Sequence, residues 1–351
     1  MAISIPPEII GQLREDVVGL KKSEVYKEIV EPKEAVLARF QPIFTPEHAR
    51  VVSSEEFKSF LVFENNQHWT GLHRQSSRLC SNMENLCNAL VILVDEGQPI
   101  NRRLDQVTEM IYGMGKNIAT AILTIVFPEK YGVWNNRSEA GLKKLDIWPD
   151  FNRGETFGNR YLKVNEILLQ LRDILEIDLW ELDALWWYRD KIEAEVQVSN
   201  TVKETNITDI TDNQQCFGLE RHLHEFMRDN WDHIELSSEW QIYNEPGDPE
   251  AGYEYPCKVG RIDLLARHKT LPKWLVIELK RNQTSDQTVG QLLRYMGWIK
   301  HNLAEQGDQV QGMIICRQPD EALNYALNMV DNVRIYIYEV DFRLKSISSI
   351  G

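Results

Sequence analysis

Apolar residues in the first half of the chain recur three and four positions apart. LCNALVILVDEG from Leu86, QVTEMIYG from Gln106, KNIATAILTIVF from Lys116 and YLKVNEILLQLRDIL from Tyr161 all keep this spacing. It gathers their apolar side chains on one face of a helix. From Val196 the text turns to VQVSNTVKETNITDITDNQQ, rich in Thr, Asn and Asp, without aromatics and without a sustained 3.6-residue period. That composition predicts a linker over 196–214. Beyond it Leu219, Leu223, Phe226 and Met227 form one helical stripe, and WQIY, RIDLLA and WLVIELK read as strands of β-branched and aromatic character. A helix from Thr288 (TVGQLLRYMGWIKHNL), a strand GMIICR, a helix ALNYALNMV and a closing strand VRIYIYEV complete the pattern. The expectation is two domains: a mostly helical one over 1–195 and an α/β one over 215–351. No internal repeat or low-complexity tract interrupts it, and 351 residues suit two domains.

Composition narrows the class. At 43% hydrophobic and 26% charged, the chain can fill real cores, which excludes a disordered or collagen-like protein. No apolar run reaches eighteen residues, and MAISIPPEIIGQLRED lacks the basic-then-apolar pattern of a signal peptide. Five cysteines without a C-x-x-C pair argue against a disulfide framework or a structural zinc site. A reducing cytoplasm and no membrane are expected. The net charge of -14 does not exclude nucleic acid, since binding follows local patches. From Cys216 onward 15 Lys and Arg face 20 Asp and Glu. A chain so charged that binds DNA must gather its cations in a cleft or neutralise its acids with metal.

The chemistry concentrates in the α/β part. Glu278 and Lys280 are two apart on WLVIELK, so both side chains leave one face of the strand. Asp263 sits among apolar residues in RIDLLA, and the turn near Lys269–Pro272 makes the two strands antiparallel neighbours. Asp263 and Glu278 can then converge. Paired carboxylates repel unless a cation or proton lies between them, and oxygen ligands suit Mg2+ or Mn2+. Lys280 beside them could orient an attacking water or stabilise charge developing on a phosphate.

An acid on one strand followed by Glu-x-Lys on the next resembles the core of the PD-(D/E)xK nucleases. Glu220 in LERHLHEF, GRIDLL at Gly260–Leu265, VIELKR at Val276–Arg281 and VGQLLRYMGWIK at Val289–Lys300 are together similar to the nuclease domain of the NucS (EndoMS) endonucleases. Those enzymes cut DNA at mismatches or branched ends. The resemblance covers roughly the last 135 residues. It implies a restriction-endonuclease-like fold with a mixed central sheet, Asp263 and Glu278 as metal ligands, Lys280 as catalytic lysine and Glu220 as an acidic neighbour. It also implies site roles for Gln291 and Tyr295, whose i, i+4 spacing puts both on one helix face, and a DNA contact by Arg261. NucS enzymes have a β-rich N-terminal domain. Here that part reads as helical, so target choice can differ, and repair or defence against foreign DNA both fit. Breaking both strands of a duplex predicts a homodimer, because a two-fold axis presents matching sites to antiparallel strands. The rivals are a catalytically silent DNA-binding or scaffold protein on a nuclease fold, and a base-excision enzyme.

In the helical part, Gly113-Met114-Gly115 falls between two helical stretches, with Lys116 opening the second. Glycines there permit positive φ and expose N–H groups where the helix dipole favours anions. This is the chemistry of a helix-hairpin-helix gripping a DNA phosphate, although many structural αα-turns need glycine too. IATAIL and YGVWNN resemble the hairpin region of helical base-excision glycosylases. Those keep an aspartate about where this chain has Asn135, and an amide cannot replace that carboxylate. His68, Trp69, His73 and Arg74 form either a DNA-contacting surface or a piece of core. Trp180, Trp186, Trp187 and Tyr188 read as packing, and Cys80 and Cys87 as sharing a buried helix face. His222 and His224 diverge on a helix, so only one can line the Glu220 site. The first 60 residues carry no recognisable chemistry.

Overall fold

The computed structural model describes the backbone of residues 5–204, 223–284 and 286–339, and side chains in those stretches except 193–204 and 281–287. The chain divides into two compact units. One comprises Met1–Ile207, Tyr243–Ala251 and Tyr255–Arg261; the other comprises Thr208–Ile242, Gly252–Glu254 and Ile262–Gly351. Among the described residues no helix is long and apolar enough to cross a membrane.

The longer helices of the first unit are α1 (Pro7–Leu20), α2 (Lys33–Phe40), α3 (Ser54–Leu61), α4 (Met83–Val94), α5 (Ile100–Met110), α6 (Lys116–Val126), α7 (Asn136–Lys144), α8 (Phe157–Leu175) and α9 (Leu179–Glu204). Side chains fix several starts. Ser53 Oγ accepts from Glu56 N at 3.2 Å in a capping box that opens α3. Asn135 Oδ1 accepts from the N–H groups of Arg137 and Ser138 at the start of α7. The predicted stripes turn inward: Leu86, Leu90 and Leu93 of α4, Ile118, Ile122 and Ile125 of α6, and Val164, Leu168 and Leu171 of α8 are buried in one core with Phe40, Phe57, Phe60, Trp180 and Trp186. Helix α9 continues to Glu204, through residues where the composition predicts the linker to begin. A helix nucleated over a packed segment extends at one hydrogen bond per residue, with no apolar stripe required.

The second unit carries most of a mixed sheet in the order β1-β3-β4-β5-β6, with β2 added on β3. The strands are β1 (Trp240–Ile242), β2 (Tyr253–Cys257), β3 (Gly260–His268), β4 (Lys273–Thr284), β5 (Gln309–Pro319) and β6 (Val333–Ile337). The expected β3–β4 pairing is antiparallel, Leu264 opposite Ile277 and Leu265 opposite Val276. β4–β5 and β5–β6 are parallel, connected through α10 (Asp286–Asn302) and α11 (Glu321–Leu327). This is the two-domain, helical plus α/β architecture expected from the sequence.

The sheet's two faces can be told apart by alternation. Leu264, Ala266, Leu275, Ile277, Leu279, Met313 and Ile315 point into a core with Leu223, Met227 and Trp231. Val276, Glu278 and Lys280 therefore point the other way. Gly312 pairs with Val276, and a Cβ there would strike Met296 and Leu292. Helix α10 thus covers the face that bears Glu278 and Lys280.

Candidate functional site

Asp263 stands one residue ahead of Leu264, where the β3–β4 ladder begins. At that end its carboxylate takes the place of a backbone partner, Oδ2 accepting from Leu279 N at 2.7 Å. The bond draws Asp263 against β4 beside Glu278. Glu278 is 1% exposed, and its Oε1 accepts from Lys280 Nζ at 2.7 Å. Two residues apart on one strand face, the acid and the ammonium meet as the spacing predicts. Past Lys280 the β4–β5 register shifts before resuming at Gln283, an irregularity of the kind that re-aims side chains beside a site. His224 Nε2, from helical residues 223–229, lies 3.2 Å from Asp263 Oδ1.

Gln291 and Tyr295 meet on α10, Gln291 Nε2 donating to Tyr295 Oη at 3.2 Å, with Tyr295 buried. Arg261, read as a DNA contact, donates to Asp190 Oδ2 at 3.0 Å. Glu220 and His222 lie outside the described residues.

The hairpin differs from its expectation. Gly113 and Gly115 do form the turn between α5 and α6, and Gly113 takes φ +93°. The anion-binding groups, however, are engaged within the unit. Lys116 N donates to the carbonyl of Gly247 at 3.0 Å, and a Cβ on Gly115 would sit 1.4 Å from that same oxygen. The glycine admits the protein's own backbone rather than a phosphate. Lys116 is buried, its Nζ 2.7 Å from Asp248 Oδ2 and 3.0 Å from Glu139 Oε2. Lys143 Nζ holds Glu139 Oε1 at 2.6 Å, and Arg160 lies 3.5 Å from Glu245. Burial pushes the Lys116 pKa down, but Asp248 and Glu139 outweigh it and hold the ammonium above its ordinary value. For Glu139, burial pushes upward and the charges of Lys116 and Lys143 bring it below the carboxylate range. Burial, reinforced by Glu139, raises Glu245. The arrangement is a buried, charge-matched network, and in it neither the N–H nor the ammonium is presented to DNA.

His68, Trp69, Trp180 and Trp186 resolve as packing, whereas His73 is exposed and Arg74 half-buried. His68 is buried against Asp183, Nε2 to Oδ2 2.7 Å, and stacks on Trp69. Asn135 Nδ2 donates to Asp183 Oδ1 at 3.0 Å besides capping α7. Trp180 and Trp186 are core residues. Cys80 and Cys87 do not share a helix: Cys80 ends the short helix Ser76–Leu79, and α4 opens afresh with Asn82 as its cap. Residues the spacing did not reveal are Glu245 and Asp248, whose ion-pair partners are remote in sequence, together with Glu139 and Asp183.

Residues 245–344 match the family described as the endonuclease NucS C-terminal domain. Over 79 residues the chain is 34% identical to the Endonuclease NucS of Methanocaldococcus jannaschii, a stretch that covers 21% of this chain and 29% of that relative. The chain thus spans less than a third of the length of the curated relative it matches. No solved structure matches. The matched segment holds Asp263, Glu278, Lys280, Gln291 and Tyr295. The C-terminal part is a NucS-like domain, as its motifs imply.

Proposed function

We propose that the protein is a metal-dependent endonuclease that hydrolyses DNA phosphodiester bonds at the Asp263–Glu278–Lys280 centre. The observation that carries this reading is the meeting of two strands at one end: Asp263 bonded to the backbone beside Glu278, and Lys280 on the face of Glu278. The donor set suits Mg2+ or Mn2+. Magnesium is commonly bound through one or two carboxylates with water filling its octahedron. Asp263 and Glu278 would hold the ion, and Gln291 and Tyr295 on α10 would line the approach to it. When bound, the ion supplies Lewis acidity toward phosphate and water.

The chain's own groups do the rest. Lys280 carries three N–H donors and a positive charge, able to orient the attacking water or to stabilise charge on a non-bridging oxygen. A buried Glu278 keeps that lysine directed along the strand face instead of into solvent. Replacement of the NucS N-terminal part by a helical unit leaves the DNA target to be set elsewhere, in repair or in defence against foreign DNA. Double-strand cleavage would call for two copies of the chain acting on one duplex.

The test is to incubate the full chain with mismatched, branched, single-stranded and plain duplex DNA, with and without Mg2+ or Mn2+. Cleavage that needs the metal and vanishes in Asp263→Ala and Glu278→Ala supports the reading. Full activity in excess EDTA, or an active Asp263→Ala protein, would end it.

A further inference from the structure

We infer that His224 is a positioning residue of this centre, holding the Asp263 carboxylate in the orientation that faces the ion; the inference rests on the nuclease reading above. The two oxygens of Asp263 have different neighbours: Oδ2 receives the Leu279 N–H at 2.7 Å, and Oδ1 lies 3.2 Å from His224 Nε2. An aspartate has two side-chain torsions. One backbone bond leaves rotation about that contact, and the imidazole set against the other oxygen restricts it. Each carboxylate oxygen offers two acceptor directions, so one lone pair per oxygen can serve a protein donor while the other stays available to a cation.

The ring is not a chance surface neighbour. His224 follows Leu223 and precedes Met227, both buried in the core beneath the sheet. Those anchors fix the helical turn, and with it the site of the imidazole, whose side chain is 22% exposed. The imidazole lies 3.2 Å from Asp263, which makes that carboxylate the group it can position. Outer partners of this kind matter for affinity, their loss costing about 10–100-fold in metal binding or activity.

The experiment uses the full chain as wild type, His224→Phe, His224→Gln and Asp263→Ala. Phenylalanine keeps the ring volume and removes the nitrogen; glutamine restores an N–H donor. Free Mn2+ is followed by electron paramagnetic resonance, and cleavage of a duplex is measured across Mn2+ concentrations. His224→Phe should weaken Mn2+ binding about 10–100-fold and raise the half-saturating Mn2+ by the same factor. Its kcat at saturating metal should stay near wild type, and His224→Gln should recover much of the affinity. If His224→Phe fails to fold by circular dichroism, His224→Ala takes its place in the same readouts. Wild-type Mn2+ affinity in the folded variant would overturn the inference. So would nitrogen hyperfine coupling to bound Mn2+ in the wild type that disappears in His224→Gln, since the ring would then be a ligand. Undiminished Mn2+ binding and cleavage by Asp263→Ala would instead sink the nuclease centre itself, separating that failure from the failure of His224.

Discussion

Lys116→Met tests the buried network and, with it, the reading of the hairpin. Methionine keeps most of the side-chain volume and removes the ammonium from between Asp248 at 2.7 Å and Glu139 at 3.0 Å. Glu139 retains Lys143 at 2.6 Å and the Trp134 indole N–H at 3.0 Å, so the loss falls chiefly on the Asp248 side. Removing one member of a buried ion pair typically costs about 3–5 kcal/mol. A second route gives a similar ceiling. A buried carboxylate stripped of its cation can escape its charge by taking up a proton, and at pH 7 that costs an ordinary aspartate about 4 kcal/mol. At pH 5 the same step costs only about 1.5 kcal/mol. The destabilisation read from urea midpoints should therefore be about 3–4 kcal/mol at pH 7 and shrink to less than half of that at pH 5. The sign follows because the folded variant binds a proton that its unfolded chain does not, so lower pH favours folding relative to wild type. A variant as stable as wild type at pH 7, or a deficit indifferent to pH, would refute the buried network. Wild-type stability with weaker DNA binding and a flatter salt dependence would return Lys116 to a phosphate.

Gly115→Val should destabilise by at least about 2 kcal/mol, because its Cβ would overlap the Gly247 carbonyl; thermal melting checks this, and an unchanged Tm would mean the contact is dispensable. Lys280→Met should slow cleavage about 100-fold or more while Mn2+ affinity measured by calorimetry stays near wild type; rapid cutting by this variant would remove the lysine from the chemistry. In the wild-type protein, Glu139 lies below its ordinary pKa, so its stabilisation is complete above about pH 4.3 and fades as pH falls through its lower folded value. Glu139→Gln should therefore cost stability at pH 6–7 and progressively less in acid, as followed by urea unfolding at several pH values.

What could be read in advance was local. WLVIELK declares Glu278 and Lys280 on one face through the period of a strand, and the short turn before it declares the antiparallel partner that brings Asp263 alongside. Helix α10 was visible for the same reason. Strand β2 was not, because Pro256 interrupts YEYPC and the preceding NEPGDPEAG has the composition of a turn. The network around Lys116 was hidden by distance, since Glu245 lies 85 residues along the chain from Arg160 and Asp248 lies 132 from Lys116. Gly115 was ambiguous in its chemistry. A helix start without a Cβ accepts a phosphate oxygen or a carbonyl oxygen equally well, and the residue types do not say which oxygen arrives. Helical spacing predicts that His222 and His224 diverge, and it is the fold that brings His224 beside Asp263.

The segments Tyr243–Ala251, between β1 and β2, and Tyr255–Arg261, which holds the end of β2 and the start of β3, fold with the helices, so modularity in this chain does not follow the order of its letters. A fragment begun at 215 would inherit Glu245, Asp248 and Tyr255 but leave behind Lys116, Lys143 and Arg160, carrying acids evolved for burial into water. The complementary fragment ending at 195 would keep a buried lysine with half of its anions missing. Recombination that exchanged the helical unit for another could succeed only by rewriting this loop as well. The boundary of the NucS-like match at residue 245 falls inside it.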